Sequence, residues 1–369
     1  MALILFIGSF LVLPTAKMVN NVYYALIALP AIIVLIAMRG RGIRATPETL
    51  LWGALLAWSG VAGALSGDVG FIKHISYVAL FLLITGLIAS PAIFRKEHFA
   101  RGLFWVVLWY VLGSGLYYWM SGRYAVGERV LWLPSRMDGP IFTSMWLASC
   151  FALALPFWLK ERRWPELILA FMLTLLCAGY ILQSRSGLVG LLAVSLMTCF
   201  YHGFTNRLRV SSLVIVGGCI GLAGWFSFEH VPQVNQLFAR GDAFRFELWA
   251  ALVREWQACG WWLGCGVNHQ SSYVLASGGD ILHPHSIYVA LGIYTGLVSL
   301  LIFLMLMVAT LRRAWEFHDP WGLYLAAALV SLAFDGSKLI GNPDERWLLV
   351  LLPAGLIMNR KPDKRLGHA

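Results

Sequence analysis

Residues 286–311 read SIYVALGIYTGLVSLLIFLMLMVATL, an apolar run without a charged residue, closed by Arg312 and Arg313. The hydrocarbon core of a bilayer is about 30 Å thick and offers backbone groups no water, so a crossing takes about 20 consecutive apolar residues in a helix. The run predicts a membrane-spanning helix. Working outward from it, further apolar runs fall at 2–14, 22–38, 50–65, 71–90, 102–120, 141–159, 165–183, 186–201, 210–228, 321–340 and 346–358. Composition agrees. Of 369 residues 59% are apolar and only 12% charged, against about a quarter charged in soluble proteins. A soluble domain is excluded, and an all-α polytopic membrane fold of about twelve transmembrane helices is expected. It divides into helices 1–9 (residues 1–228), a loop subdomain with short surface helices (229–284), and helices 10–12 with a tail (285–369). No internal repeat or low-complexity tract is visible.

The basic residues orient the chain. If the loops are assigned alternately to two sides, one side receives Arg39, Arg41, Arg44, Arg95, Lys96, Arg101, Lys160, Arg162, Arg163, Arg207, Arg209, Arg312, Arg313, Arg360, Lys361, Lys364 and Arg365, most of the 28 Lys and Arg. Short loops rich in Lys and Arg remain cytoplasmic, so both termini are expected inside. The two long loops, 121–140 and 229–284, then face the opposite side. The net charge of +10 thus reads as a topology signal, and nucleic acid is not an expected partner; membrane lipids are. The apolar start Met1–Leu13 lacks a basic leader and a cleavage site, and is read as a retained first helix. Cys150, Cys177, Cys199 and Cys219 lie in apolar runs, where a thiol acts as a small hydrophobe. Cys259 and Cys265 share the long loop and would pair in an oxidising compartment, but two free thiols are the expectation.

Three places carry candidate chemistry. In Gln183-Ser184-Arg185-Ser186-Gly187, Arg185 sits between two apolar runs at the outer interface. An ionisable group there is expensive and reads as functional; the bland alternative is a headgroup anchor. Arg245 opens the segment Arg245–Gln257, whose Phe246, Trp249, Leu252, Val253 and Trp256 recur at the spacing of a helix lying on the membrane surface. Fixed guanidinium forks are what a diphosphate requires, although Glu247 or Glu255 offers a simple ion-pair partner. In His283-Pro284-His285-Ser286-Ile287-Tyr288, Pro284 suits a helix start, which puts His285 in the first turn, where the dipole disfavours imidazolium and leaves a proton acceptor. A metal site and an inert cap are the other readings; with no D-x-D or H-E-x-x-H in the external loops, no metal and no cofactor are expected. Asp335 and Lys338, spaced i,i+3 near the outer end of the eleventh helix, read by default as mutually neutralising. Trp261, Trp262 and Tyr273 suit either sugar stacking or an interfacial aromatic belt.

Taken together, Ser184-Arg185-Ser186-Gly187, Arg245-Phe246-Glu247-Leu248-Trp249 with Gly264-Cys265-Gly266-Val267, and His285-Ser286-Ile287-Tyr288 leading into Leu291-Gly292-Ile293-Tyr294-Thr295-Gly296-Leu297 resemble the O-antigen ligase and polymerase superfamily of bacterial membrane glycosyltransferases, most of all the ligases. The family usually has Asn after the motif histidine and an acidic residue before the later glycine; Ser286 and Thr295 stand there in this sequence. The resemblance implies a multi-pass inner-membrane enzyme with its site facing the periplasm. It would move a glycan from an undecaprenyl-diphosphate-linked donor to a lipid A-core hydroxyl, without metal and with inversion. By the same resemblance Arg185 and Arg245 hold the donor diphosphate and His285 is the catalytic base; Arg240, His283, Ser286, Tyr288, Asp335 and Lys338 are supporting candidates. The alternatives are an O-antigen polymerase, a protein O-oligosaccharyltransferase of the same superfamily and, in another class, a secondary transporter.

Overall fold

The computed structural model describes residues 1–39, 45–88, 91–205, 232, 235, 245–271 and 283–359. Within them the regular structure is entirely helical: α1 Ala2–Val12, α2 Ala16–Ala37, α3 Pro47–Leu65, α4 Val69–Leu87, α5 Glu97–Met120, α6 Pro140–Lys160, α7 Trp164–Ile181, α8 Arg185–Thr205, α9 Arg245–Cys259, α10 Ile287–Glu316, α11 Trp321–Leu332 and α12 Trp347–Met358. Seven of these, α2 to α7 and α10, are long and apolar enough to cross a membrane; α1, α8, α11 and α12 offer shorter apolar stretches. The expected crossing at 210–228 and the basic tail lie outside the described residues.

Helix α6 is the axis of the bundle. Every side chain from Thr143 to Leu155 is buried, and α5, α7, α8 and α11 pack around it. A helix apolar on all sides is stable only when enclosed, and α6 meets that condition. A second cluster ties the N-terminal helices to α12: Trp347 lies 4.9 Å from Phe81 and 5.2 Å from Tyr23, ring centre to ring centre.

Loops expected on one side meet one another. At the Lys/Arg-rich end Arg95 pairs with Asp319 at 2.5 Å, Arg101 with Glu166 at 2.7 Å, and Arg313 with Glu48 at 3.6 Å. At the other end Arg136 pairs with Glu345 at 2.7 Å, Gln183 Nε2 donates to the Gly127 carbonyl at 3.1 Å, and Val267 N–H donates to Ser66 Oγ at 3.1 Å. The alternation read from charge is thus also a spatial sorting.

Three expectations are corrected here. The eleventh run, expected to be helical to residue 340, leaves the helix at Leu332 and continues to residue 344 without regular structure. Asp335 accepts from the Gly336 N–H at 2.8 Å, and Gly336, at φ 153, has a backbone geometry that L side chains rarely adopt. Protein encloses this irregular stretch, and Asp335 is 2% exposed. Secondly, Cys259 and Cys265 form a disulfide rather than two free thiols. Thirdly, α9 does not simply rest on a membrane surface. Its Leu248, Leu252 and Trp256 pack onto Ala290, Ile293 and Tyr294 of α10, while Phe246 and Val253 remain exposed.

The disulfide closes a turn that enters α10. Gly296 (φ 83, ψ 174) breaks the helix, and its would-be Cβ meets the Trp262 carbonyl oxygen at 1.9 Å, so only glycine fits. The inserted turn satisfies the backbone groups set free by the break. Cys265 N–H donates to the Ile293 carbonyl at 2.6 Å, Leu297 N–H to Trp261 at 2.8 Å, and the Trp58 indole to Thr295 at 2.8 Å. Gly292 clears the space that the Trp256 ring fills.

Candidate active site

Arg185 is the first residue of α8. Gln183, at φ 45, turns the chain sharply out of α7, and the glycine two residues after Arg185 explains how α8 then settles on α6. A Cβ on Gly187 would lie 2.5 Å from Ser144 Oγ, and Ser144 and Ser184 share a hydrogen bond of 2.5 Å. The guanidinium therefore projects from a helix start whose position is set by close packing, and the helix dipole adds a partial positive charge there.

Arg245 opens α9 in the same way. Arg185 and Arg245 line one cavity of about 200 Å³, together with Ser186, Val189, Phe246, Trp249 and Phe334. Its walls are apolar and aromatic, and its charged groups among the described residues are two cations. The Trp249 indole donates to the Pro284 carbonyl at 2.9 Å, which joins this wall directly to the histidine segment.

His285 does not lie in the first turn of α10. Ser286 is the N-cap and the helix starts at Ile287, because His285 itself is left-handed (φ 50) and cannot continue a helix. The turn presents the imidazole to Asp335: Nδ1 and Oδ1 are 3.1 Å apart, and Arg245 Nη2 lies 4.0 Å from Oδ2 of the same carboxylate. Asp335 thus joins the candidate base to a candidate diphosphate ligand. Burial pushes its carboxyl up, but the hydrogen bond with His285 and the nearby positive charge hold it below its ordinary value. An ionised carboxylate only accepts, so Nδ1 carries a proton toward it, and in the neutral imidazole Nε2 is the nitrogen with the lone pair. Beside it the His283 ring lies tilted, 3.9 Å away centre to centre, and burial, followed by His285, pushes its imidazole down to about 4.

The pairing of Asp335 with Lys338 does not occur. Among the described residues Asp335 has His285 and Arg245 as its ion-pair partners, and neither it nor Lys338 lies on a helix. Lys338 instead donates to the Val267 carbonyl and stands 4.8 Å over the Tyr294 ring; burial, then Arg346, lowers its pKa. Tyr288 is used structurally, its hydroxyl donating to the Leu329 carbonyl at 3.0 Å. Ser286 is buried as N-cap without a capping bond from its side chain. Glu255 binds His269 at 2.8 Å and Ser271 at 3.1 Å. Arg240 and Tyr273 lie outside the described residues.

Charged groups gathered at one end of an apolar helix bundle, around a cavity with aromatic walls, are what a membrane enzyme acting on an amphiphile requires. Residues 169–304 match the family model described as O-Antigen ligase, so the resemblance seen in the motifs is shown over the segment that holds Arg185, Arg245 and His285. A curated relative, the O-antigen ligase of Pseudomonas aeruginosa, is 25% identical over 360 residues, a stretch covering 92% of this chain and 84% of its own length. Asp335 lies beyond the matched segment; the sequence reading makes it a supporting candidate but pairs it with Lys338, not with His285. An acidic residue fifty positions from its histidine leaves no periodic signal.

Proposed function

We propose that the chain is an O-antigen ligase, transferring a glycan from undecaprenyl diphosphate to a hydroxyl of lipid A-core on the periplasmic face of the inner membrane. The observation that carries this reading is the cavity shared by Arg185 and Arg245, with His285 hydrogen-bonded to Asp335, whose carboxylate lies 4.0 Å from Arg245. The chemistry follows from the charges. The acceptor oxygen attacks the anomeric carbon, its proton passes to His285 Nε2, and the bond to the diphosphate oxygen breaks with its electron pair leaving on undecaprenyl diphosphate. The two guanidinium groups stabilise that departing charge, so the leaving group needs no acid and the reaction needs no metal. His285 raises the nucleophilicity of a poor nucleophile, a contribution of roughly 10²–10⁴-fold. Asp335 holds the imidazole in the right tautomer and stabilises the imidazolium that forms. One displacement inverts the anomeric centre.

Orientation is supported from two directions. The basic loops put both termini in the cytoplasm, and a disulfide at Cys259–Cys265 belongs in an oxidising compartment, which is the side of the site. The domain match favours glycan transfer over secondary transport.

The test is a lipopolysaccharide gel of a strain carrying His285→Ala, with insertion checked by membrane fractionation. The expected result is core without repeats while long chains accumulate on the lipid carrier. Core bearing one repeat would indicate the polymerase instead, loss of glycan from protein the protein O-oligosaccharyltransferase, and wild-type banding would remove the role of His285 altogether.

A further inference from the structure

We propose that His283, His285 and Asp335 form a binding site for a divalent transition metal of the zinc class, and that an ion bound there blocks transfer by occupying the base. The blocking role rests on the reading of His285 given above; the site itself does not. One potential ligand atom from each of the three residues lies within 4.8 Å of the other two. A zinc ion bound at about 2.0–2.2 Å in tetrahedral geometry holds its ligands roughly 3.3–3.5 Å apart. Side-chain rotation alone therefore closes the set.

The backbone beneath is already fixed. A Cβ on Gly336 would lie 2.9 Å from the Ile287 nitrogen, so the Asp335 segment abuts the start of α10, and Tyr288 ties that start to Leu329. A ligand set mounted on two interlocked segments loses little freedom on binding. The second independent observation is His283 Nδ1, which is buried and has no hydrogen-bond partner among the described residues. Buried polar atoms without partners are uncommon and call for one. The Arg245 cation accounts for Asp335; no contact among the described residues accounts for this nitrogen.

Two imidazoles and one carboxylate select zinc, cobalt, nickel or copper over magnesium and calcium, which favour all-oxygen sites. Three ligands leave at least one coordination position open. A neutral imidazole has one lone pair, and an ion that takes it from His285 leaves no acceptor for the proton of an acceptor hydroxyl, whichever ring nitrogen is bound. The ion would thus be an inhibitor of a reaction that proceeds without it. The other cluster of ligand types, Cys259, Cys265 and His269, is closed to metals while its thiols are joined.

The experiment uses the full chain, purified in detergent and stripped with EDTA, then titrated with Co²⁺ while its visible ligand-field bands are recorded. One equivalent of saturable signal, displaced by Zn²⁺, is expected. His285→Ala and His283→Gln should each weaken binding by about tenfold or more, with thermal melting confirming that both variants are folded. Zn²⁺ at the concentration that saturates the site should stop transfer, and EDTA should restore it. The metal site is overturned if no saturable signal appears, or if the signal survives in both variants. Such a result leaves the role of His285 standing wherever His285→Ala still abolishes transfer. Zinc that binds through these histidines without slowing transfer overturns the blocking role, and with it the assignment of His285 as base.

Discussion

Replacing Asp335 by Asn removes one charge and leaves the shape of the side chain almost unchanged, so it isolates what the carboxylate does for His285. Oδ1 of Asp335 accepts both from His285 Nδ1 at 3.1 Å and from the Gly336 N–H at 2.8 Å, while Oδ2 faces Arg245 at 4.0 Å. An Asn with its carbonyl in the place of Oδ1 keeps both hydrogen bonds and turns an uncharged NH₂ toward Arg245. The imidazole is still oriented, but the imidazolium of the transition state loses its counter-charge. Hydrogen bonds to charged groups contribute about 1.5–3 kcal/mol against about 0.5–1.5 for neutral ones, so the expected loss is about 1–2 kcal/mol. At about 1.4 kcal/mol per factor of ten, kcat should fall roughly 5- to 30-fold. The KM for donor should not rise, since Arg185 and Arg245 remain. The assay is the initial rate of glycan transfer by purified protein between undecaprenyl-diphosphate-linked glycan and lipid A-core, with thermal melting run beside it. Asp335→Ala, which strands the His285 and Gly336 donors, should cost more in both measurements. A wild-type rate in Asp335→Asn would refute the positioning role. So would inactivity matched by a collapsed melting temperature, which would make Asp335 a structural residue only.

The remaining predictions test other parts. Arg185→Ala and Arg245→Ala should each lower kcat/KM for the donor by about 10- to 100-fold, the value of one charge-assisted contact, with Lys substitutions recovering only part because they restore charge without the fork; full activity in either Ala variant would remove that residue from the diphosphate site. Gly296→Ala should destabilise the protein by about 1–3 kcal/mol from backbone strain alone, and by more because its Cβ would meet the Trp262 carbonyl, read as a lower melting temperature. Cys259→Ser should cost about 2 kcal/mol by the loop-entropy estimate and lower the melting temperature under non-reducing conditions, whereas wild-type protein should approach the same value in reductant. Transfer should persist undiminished in excess EDTA, and a loss that only added metal repairs would contradict a metal-free reaction.

Much of this architecture could be read from residue order because the bilayer makes it a local problem. An apolar run either suffices to cross or does not, and most of the described helices begin and end within a few residues of the expected runs, Pro47–Leu65 and Pro140–Lys160 among them, whereas α11 ends well short of its run. Charge in short loops sorts the same way, and the ion pairs Arg95–Asp319 and Arg101–Glu166 gather on the side that alternation assigned them. Arg185, Arg245 and His285 were visible for a related reason: charged or titratable groups are costly beside apolar runs, so each stood out as unexplained by packing.

What residue order could not supply is partnership across the chain. Asp335 was matched to Lys338 because the two are three residues apart, and spacing predicts contact only while the helix lasts. The helix ends at Leu332, and beyond it the carboxylate is free to face His285 and Arg245 from a loop. The break at Gly296 left no mark in the sequence, and the Cys259–Cys265 pairing was an option set below two free thiols, since the turn that fills the gap arrives from another stretch of sequence. Hydrophobic periodicity and charge are properties of a single segment and determined the crossings and the choice of candidate residues. Convergence of Arg185 and Arg245 on one cavity, with His285 joined to Arg245 through Asp335, depends on close approach between segments distant in sequence, and only the packing of α6, α8, α9 and α10 with the irregular chain after α11 decided it.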